Sequence, residues 1–585
     1  MPEFPRPAAP PGRIAWLAVL GAVALACSGD PGAVDATADA LAADVSAWLV
    51  PPPDTDAAPG EGVAGDVPAD LGPGPAGDTG WDAAPPFPAA VEPLEPACEP
   101  EPGAFLPALP ATPTGDASFE PFLPLRLVGE DEAVRLRVQK KGSAETDAKA
   151  PAPTLQGDAG TQIVSVVKGE LPGLYVATVR FAQAGVRTLT AQWPDGRSAT
   201  AQHLAYATPL PVWRLVTTAA DLATLQASSD KTYYPCTLEV GTKKFSGAQV
   251  RIHGGTSKGY PKKSLRIDLK KGDKLADGRR KLILRAEWND KTMMRNWLSL
   301  QMFRSFTTVP TPNSAFVHLR WNGDFYGLMH DVQRIGGDFI SAHGRNPDGN
   351  LYETDPPSAA PLPSGANLTP LVDPALYPIA YTKHAGPEGD LADLQALIEK
   401  TLTLPDAALA NTLDGVVKVH DFLAYAAVIT VLQSTDHLRK NYYLYRDPAG
   451  GDPRFEMWPW DLELTLGHLW NETEDTLSEA IVTDLSVWAG NEVLASDLTN
   501  RMWRALSVPT WKKAFAGYAQ AIAGGAYGSG WLDSRLAWAL CRVRLDALAD
   551  SRKRATNAEY LGRVEEIRTF AKARRSFVQQ AVGGL

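Results

Sequence analysis

Two aspartates and an asparagine in the C-terminal half of the chain have the side chains and spacing that phosphoryl transfer requires. Four residues separate Asp436 from Asn441, and Asp461 directly follows the aromatic run at 455–460. An aspartate so placed can orient and deprotonate an acceptor hydroxyl, while an amide and a second carboxylate hold a magnesium ion against phosphate oxygens. Taken singly, each residue is more typical of a helix cap or a turn, so the prediction depends on the set.

A glycine-rich segment earlier in the chain could bind phosphates. It spans 251–264 and contains three glycines between two predicted strands. Backbone N–H groups of such a loop can surround phosphate oxygens, and a lysine entering the next strand can reach them. Strand phase does not choose between the two adjacent lysines, and a glycine-rich hairpin alone is a common feature. The residues predicted to contact phosphates are Gly254, Gly255, Ser257 and one of Lys262 and Lys263.

The elements that must position these residues are strands first and helices later. Predicted strands cover two segments within 249–269, then 315–320, 324–329, 442–445 and 455–458. Predicted helices cover 290–306, with Asp290 as N-cap, 416–432 and most of the chain from about 493 onward. Asn322-Gly323 is a strong signal for a hairpin turn. This order predicts an α+β domain with a sheet lobe and a helical lobe.

Several ordered motifs resemble the spore-coat CotH family of atypical kinases. They are Arg251–Asp268, Leu284–Asp290 with Met294-Arg295-Asn296, Trp321–Gly327, Asn441–Tyr445 and Trp458–Asp461. The resemblance implies an atypical protein-kinase-like two-lobe domain over 209–585. It also implies an enzyme that uses ATP with Mg²⁺ or Mn²⁺ to phosphorylate Ser or Thr of exported or surface proteins.

Carried over by position, the resemblance implies a role for each residue of the set. Asp436 would be the catalytic aspartate, Asp461 a metal ligand and Asn441 a second metal ligand. Lys262 or Lys263 would contact ATP, beneath a loop formed by Gly254, Gly255 and Ser257.

The chain departs from the family pattern at two positions. His253 stands where the family often has arginine, and Gln333 stands where it often has an acidic residue. If that acid pairs with the ATP lysine, a neutral amide gives a weaker partner, unless Asp331 or Glu353 takes its place. The alternative function is therefore a surface protein that keeps the fold and acts as a binding or structural protein with reduced catalysis.

Residues 1–27 resemble the signal peptide of a bacterial lipoprotein. Arg6 and Arg13 precede an apolar stretch that is too short to span a membrane as a helix, and the stretch ends in Ala24-Leu25-Ala26-Cys27-Ser28. The resemblance implies a lipid on Cys27 and a membrane-anchored protein in the periplasm or at the cell surface. An ordinary secretory signal or a short membrane anchor is the alternative.

Two further segments precede the predicted kinase-like domain. Residues 28–115 are rich in Pro, Ala, Gly and Asp and contain no Lys or Arg, a composition typical of a disordered linker. Residues 116–208 show alternating apolar runs between turns, which predict a small β-sandwich that resembles immunoglobulin-like domains in fold alone. We expect this sandwich to act as a spacer or docking domain.

Net charge, motif content and cysteine count indicate which partners, reactions and disulfides to expect. The formal net charge of −11 does not favour a nucleic-acid partner. No Gly-x-Ser-x-Gly elbow and no Cys or His cluster with zinc spacing supports a hydrolase. Because exported proteins keep disulfides, Cys236 and Cys541 could pair within the C-terminal domain, leaving Cys98 over.

Overall fold

The structure, a computed structural model, describes only part of the chain. The described residues are 117–119, 125–143, 145–354, 366–434, 436–438, 440–468 and 500–583. The predicted signal peptide, the lipidation residue Cys27 and the linker 28–115 lie outside these ranges and stay predictions. Within the described residues, no helix is both long and apolar enough to cross a bilayer.

The first eight strands form two four-stranded sheets. They are β1 (Ala117–Phe119), β2 (Leu125–Leu127), β3 (Asp131–Val138), β4 (Thr154–Gly157), β5 (Thr161–Lys168), β6 (Leu174–Phe181), β7 (Gly185–Gln192) and β8 (Ser198–Tyr206). The sheet orders are β1-β3-β6-β5 and β2-β8-β7-β4. Buried and exposed residues alternate strictly along β3 because successive side chains point to opposite faces of a strand.

Both sheets contribute to one apolar cluster. It includes Val134 and Val179 from the first sheet and Leu189 and Ala201 from the second. Two sheets that bury their inner faces against each other agree with the sandwich arrangement predicted for 116–208. The likeness to immunoglobulin domains stays a prediction.

Seven further strands close into a barrel. They are β9 (Val212–Val216), β10 (Tyr234–Val240), β11 (Lys243–Ile252), β12 (Leu265–Asp268), β13 (Lys281–Arg285), β14 (Ser314–Trp321) and β15 (Asp324–Gln333). The barrel order is β10-β11-β12-β13-β15-β14-β9. Asn322 (φ 51°) and Gly323 (φ 90°) both have positive φ, as a two-residue hairpin turn of the predicted kind requires.

Two helices accompany the barrel, and one of them starts later than predicted. They are α1 (Ala219–Ala227) and α2 (Arg295–Phe306). The predicted N-cap Asp290 instead folds the segment before α2, since its carboxylate accepts the N–H groups of Thr292, Met294 and Arg295 at 2.8–2.9 Å. Asp290 therefore still satisfies backbone donors at this end, five residues before the helix begins.

The remaining described residues form a small sheet and eight helices. The strands are β16 (Asn350–Glu353), β17 (Thr382–Ala385), β18 (Tyr442–Arg446) and β19 (Glu456–Pro459), in the order β17-β16-β18-β19. The helices are α3 (Gly337–Ala342), α4 (Tyr377–Ala380), α5 (Ala392–Ala396), α6 (Asp406–Thr412), α7 (Val419–Leu432), α8 (Pro509–Gly528), α9 (Trp531–Ala549) and α10 (Asn557–Val582).

The apolar core explains why α7 carries few polar residues. Twelve of its fourteen residues are buried, and a helix that is apolar on all sides belongs in a core. The largest apolar cluster extends from α7 through α8, α9 and α10 to β16, β18 and β19. A second cluster fills the barrel. The structure is therefore α+β, as predicted; the description of its parts as kinase lobes is a proposal.

The predicted pairing of Cys236 with Cys541 is wrong. Cys236 is a free cysteine on β10, and its burial in the barrel core raises the pKa of its thiol to about 12. Cys541 lies on α9 and forms a disulfide whose partner lies outside the described residues. The two residues belong to different packing units, which spacing along the sequence does not reveal.

Candidate functional site

Asp436 and Asn441 are directly hydrogen-bonded. After α7, a 3-10 turn covers Asp436–Leu438. The Asn441 Nδ2 donates to Asp436 Oδ2 at 2.7 Å, and Lys440 Nζ lies 3.6 Å from the same oxygen. The amide oxygen of Asn441 accepts no hydrogen bond from the described residues, so it is available to a ligand.

A buried histidine ties this turn to the strand that precedes Asp461. The Nε2 of His437 lies 2.8 Å from the Trp460 carbonyl, and its Nδ1 lies 2.6 Å from Ser434 Oγ. Because a carbonyl can only accept, Nε2 carries the proton and Nδ1 accepts from the hydroxyl. Desolvation lowers the pKa of His437 to about 4. The ring is therefore neutral and both of its nitrogens are used for positioning.

The backbone brings Asp461 next to the Asp436–Asn441 pair. Strands β18 and β19 pair antiparallel with Tyr442 opposite Pro459, and the Trp460 N–H donates to the Asn441 carbonyl at 3.2 Å. Asn441 (φ 63°) and Asp461 (φ 57°) both occupy the left-handed region. Non-glycine residues seldom adopt it, and those that do cluster at functional sites. The three residues predicted from spacing thus share one place in the fold.

Asp461 forms an ion pair with an arginine to which the sequence analysis gave no role. Arg285 is the last residue of β13, and its Nη2 lies 2.6 Å from Asp461 Oδ1 and 3.0 Å from Glu463 Oε2. Its Nε lies 3.0 Å from Glu287 Oε1. One guanidinium thus serves three carboxylates, and Asp461, 28% exposed, is the one that solvent reaches most. We call these four residues the Arg285 cluster.

The environment drives the pKa values of two carboxylates in this cluster apart. Desolvation raises the pKa of Glu463 to about 8. The attraction of Arg285 lowers this pKa, but repulsion from Asp461 and Glu287 offsets part of that lowering. Desolvation also acts on Glu287, but Arg285, His330 and hydrogen bonding overcome it and lower the pKa of Glu287 to about 2. Carboxylates with opposed pKa shifts around one cation are typical of functional sites.

Asn296 connects this cluster to the chain after Asp461. Its Nδ2 donates to Glu287 Oε1 at 2.9 Å, and its Oδ1 accepts the Leu462 N–H at 3.1 Å. The side chain is buried near the start of α2. One amide therefore fixes both a carboxylate beside Arg285 and the backbone next to Asp461.

The glycine-rich loop turns sharply at Gly254. This residue has φ 105°, and a Cβ there would lie 2.0 Å from Ser257 Oγ, so the position needs glycine. A 3-10 turn at Thr256–Gly259 follows, and the Lys263 Nζ donates to the Lys258 carbonyl at 2.7 Å. Lys263 therefore stabilises the loop from inside.

Aromatic stacking connects the end of the loop to the Arg285 cluster. The rings of Tyr260 and Trp288 stack with centroids 4.7 Å apart. Asn289, the residue after Trp288, donates to Glu463 Oε1 at 3.2 Å. The loop predicted to bind phosphates is therefore connected to the carboxylates near Asp461 through Trp288 and Asn289.

Lys262 has a partner that the sequence analysis did not name. Its Nζ lies 2.7 Å from Asp550 Oδ2, just beyond α9, and both side chains are 0% exposed. It also donates to the Leu328 carbonyl at 2.5 Å. Gly327 (φ 149°) allows this approach, because a Cβ there would lie 2.5 Å from Asp550 Oδ2. We call Lys262 and Asp550 the Lys262 pair.

The three residues considered as partners of the ATP lysine do not contact Lys262 or Lys263. Gln333 accepts the Asn313 N–H at 3.1 Å, and Asp331 is held by Arg279 at 2.6 and 2.8 Å. Glu353 pairs with His384. The alternative that Asp331 or Glu353 pairs with the lysine in place of Gln333 is therefore wrong. The carboxylate that pairs with Lys262 is Asp550, which lies 288 residues away in the sequence.

His253, the other departure, is a neutral residue beside the site. The backbone N–H of His253 donates to the Ser264 carbonyl at 2.9 Å, between the two strands of the glycine-rich hairpin. Desolvation and the nearby Arg285 guanidinium lower the pKa of His253 to about 3. The position therefore supplies no positive charge, in contrast to the arginine that the resemblance implies there.

Asp461 and Asn441 offer oxygen atoms of the kind that a hard divalent cation binds. Asp461 Oδ2 and Asn441 Oδ1 accept no hydrogen bond from the described residues, and Mg²⁺ commonly takes one or two protein oxygens with phosphates completing its shell. Within the described residues, no group of three or more His, Cys, Asp or Glu could hold a metal by itself. A nucleotide would therefore have to supply the remaining ligands.

Arg285 and Glu463 could have been noticed from local signals. Arg285 interrupts the apolar run of β13 at its last position, and Glu463 follows Asp461 by two residues. A charged residue at the end of a buried strand needs a partner. Asp550 had no such signal, because its partner Lys262 lies 288 residues away in the sequence, in the segment before β12.

Comparison with known proteins identifies similar sequences over most of this region. A family model described as "CotH kinase protein" matches residues 250–578. Inner spore coat protein H of Bacillus subtilis (strain 168) is 27% identical over 264 residues, which cover 44% of this chain and 69% of that protein. The matched range contains every residue of the site described above.

Two solved structures show limited similarity. Yersinia pseudotuberculosis InvD is 17% identical over 23% of this chain and 44% of that chain, with a TM-score of 0.12. The Escherichia coli adhesin FdeC is 13% identical over 28% of this chain and 60% of that chain, with a TM-score of 0.14. This chain spans less than two thirds of the length of either protein.

Proposed function

This chain belongs to the CotH family, and we propose that it is a protein kinase that uses Mg-ATP or Mn-ATP to phosphorylate Ser or Thr of exported or surface proteins. The observation that carries the proposal is that Asn441 hydrogen-bonds Asp436 through its side chain and Trp460, the residue before Asp461, through its backbone carbonyl. The types of Asp436, Asn441 and Asp461 match the needs of phosphoryl transfer, which depends on positioning and charge stabilisation more than on covalent chemistry.

Each of these residues has a proposed role. Asp436 orients the acceptor hydroxyl and takes its proton, and Asn441 holds Asp436 through its amide nitrogen while its oxygen faces a ligand. Asp461 and Asn441 hold the metal ion. When bound, that ion neutralises charge on the phosphates.

Arg285 is proposed to take the part expected of a strand lysine. Lys262 is held by Asp550, and Lys263 is held by the loop carbonyl of Lys258. Arg285 is the cation that contacts Asp461, and it comes from the barrel as a strand lysine would. A guanidinium is always charged and presents several donors, so it can serve carboxylates and a phosphate oxygen.

The proposed setting is the cell envelope. The sequence features at 1–27 support a lipid on Cys27, and those at 28–115 support an extended linker. The two sheets of 117–206 would then form an immunoglobulin-like spacer before a two-lobed kinase-like domain at 209–585. A spore-coat role follows only from the name of the Bacillus subtilis relative.

A second candidate function is binding without transfer. The observation that favours it is the absence, among the described residues, of a lysine contacting Asp461, together with the neutral His253. Such a protein would act as a binding or structural protein at the surface.

A phosphate-transfer assay separates these functions. The full chain is incubated with γ-labelled ATP, Mg²⁺ or Mn²⁺ and a generic protein acceptor. We expect label on the chain or on the acceptor, and we expect Asp461→Asn and Asp436→Asn to reduce it to background. Asp277→Asn, a charge-matched exposed control, should keep wild-type labelling. Nucleotide binding without labelling favours the second function. If the chain neither binds nucleotide nor transfers label with Mg²⁺ or Mn²⁺, the first function is rejected.

A further inference from the structure

A cleft remote from Asp461 is lined mainly by cations. It lies between the start of β13 and the segment that follows β15, and it encloses about 180 Å³. Arg279, Arg280, Lys281 and Arg334 line it, with Asp338 as the acidic residue in the lining. Basic side chains therefore outnumber acidic ones four to one here.

Only part of this positive charge is neutralised. Arg279 is neutralised, because it pairs with both Asp331 and Asp277, each at 2.6 Å. The Arg280 side chain donates only to the Leu269 carbonyl among the described residues. The side chains of Lys281 and Arg334 form no hydrogen bond and no ion pair with any of the described residues. Two half-buried cations thus lie in one cleft without counter-charges of their own.

The cations in this cleft repel one another. Desolvation lowers the pKa of Lys281, and the charges of Arg334, Arg266 and Arg280 lower it further, against the attraction of Asp268. Asp268 does not balance the group because it already pairs with Arg266 at 2.9 Å. An added anion would therefore relieve repulsion as well as make new contacts.

Gly336 lets the Arg334 guanidinium fold against the backbone at this cleft. A Cβ at Gly336 would lie 2.1 Å from Arg334 Nη1. Any larger residue at this position would push the guanidinium away. Glycine at this position therefore leaves room for the Arg334 guanidinium at the cleft.

We propose that this cleft binds a phosphate group, at a site separate from the Asp461 site. Arginine forks and a lysine ammonium are the donors that phosphate oxygens prefer, and 180 Å³ holds about six water volumes of roughly 30 Å³ each. Arg285 is four residues from Lys281 along β13, which places it about 13 Å away at roughly 3.3 Å per residue. A bound phosphate would tie the start of β13 to the chain after β15.

Binding of inorganic phosphate to the full chain tests the proposal. Thermal shifts are measured against phosphate concentration, with sodium chloride holding ionic strength constant. We expect phosphate-specific stabilisation in the wild type and at least fivefold weaker apparent affinity in Lys281→Gln and Arg334→Gln. Lys271→Gln removes the same charge from an exposed turn and should stay within twofold of the wild type. Asp461→Asn should keep the phosphate response.

Folding failure is excluded within the same experiment. Because Lys281 is repelled by its neighbours, Lys281→Gln should melt at or above the wild-type temperature in phosphate-free buffer. Equal phosphate responses in wild type, Lys281→Gln and Arg334→Gln would overturn the proposal, as would equal stabilisation by chloride.

A phosphoserine peptide then distinguishes the source of the phosphate. Tighter binding than inorganic phosphate, lost in Arg334→Gln, supports a phosphorylated protein segment as the ligand. Equal binding of the phosphoserine peptide and inorganic phosphate, also lost in Arg334→Gln, supports free phosphate as the ligand. In either case the unphosphorylated peptide should give no shift.

Discussion

The Arg285 cluster and the Lys262 pair are two groups of buried charges that differ in balance. In the Lys262 pair, one ammonium meets one carboxylate, and both side chains are 0% exposed. In the Arg285 cluster, one guanidinium serves three carboxylates, of which Asp461 remains 28% exposed. The Lys262 pair is balanced in charge within the protein. The Arg285 cluster has more carboxylates than cations, and one of its carboxylates is open to solvent.

This difference teaches that burial of charge alone does not identify a site. A fully buried pair needs its partner for stability and has no capacity left for a ligand. An acidic excess, in contrast, can be relieved by a cation. Lys262, which the resemblance linked to ATP, lies in the complete pair, and Arg285, which it did not single out, contacts the exposed carboxylate.

The largest effect on stability is expected from breaking the Lys262 pair. Asp550→Asn leaves the Lys262 ammonium buried without a counter-charge, and removal of one partner of a buried pair costs about 3–5 kcal/mol. Urea unfolding at pH 7 measures the loss in free energy of unfolding. Lys262→Met combined with Asp550→Asn should recover part of it, because the uncompensated charge is gone.

A matched control sharpens that prediction. Asp277→Asn breaks the pair with Arg279, in which the aspartate is half exposed. Such pairs contribute less than about 1 kcal/mol. Equal losses for Asp550→Asn and Asp277→Asn would contradict the view that Lys262 depends on Asp550.

A smaller, pH-dependent effect is expected from Glu287 in the Arg285 cluster. Its pKa of about 2 lies below the ordinary value of 4.5, so its ionised form stabilises the fold above pH 4.5, and this contribution is lost as the pH falls towards 2. Glu287→Gln should cost about 3–4 kcal/mol at pH 7, at roughly 1.4 kcal/mol per pKa unit. The gap from wild type should narrow below pH 4.5.

Urea unfolding at pH 7, 5, 4 and 3.5 measures this gap. Glu565→Gln, which removes a half-exposed carboxylate from a surface pair with Arg568, serves as the control and should change little at any pH. A gap for Glu287→Gln that stays constant from pH 7 to pH 3.5 would show that the Glu287 charge is not what stabilises the cluster.

The order of elements and the residues near the site were predictable from the sequence, but their charge partners were not. Asp436, Asn441 and Asp461 lie on strands and turns joined by local pairing, so their spacing determines their proximity. The hairpin at Asn322 was predictable because the turn itself needs positive φ.

The errors have a common cause in long-range packing. Lys262 lies 288 residues from Asp550, and no periodicity connects a loop residue before β12 to a residue just beyond a distant helix. The pairing of Cys236 with Cys541 failed for the same reason, because compartment and cysteine count say nothing about which packing unit holds a thiol. Asp290 was identified as a cap, yet α2 begins at Arg295 because Asp290 first closes a turn.

Nucleotide binding measured by thermal shift tests the central claim most directly. The full chain is heated with and without Mg-ATP or Mn-ATP, alongside Asp461→Asn and the control Asp277→Asn. Ligand at 100 times its Kd stabilises a protein by about 2.7 kcal/mol, so we predict a clear rise in Tm for the wild type and the control, and none for Asp461→Asn. No shift in the wild type, or an equal shift in Asp461→Asn, would contradict a kinase-type site at Asp461.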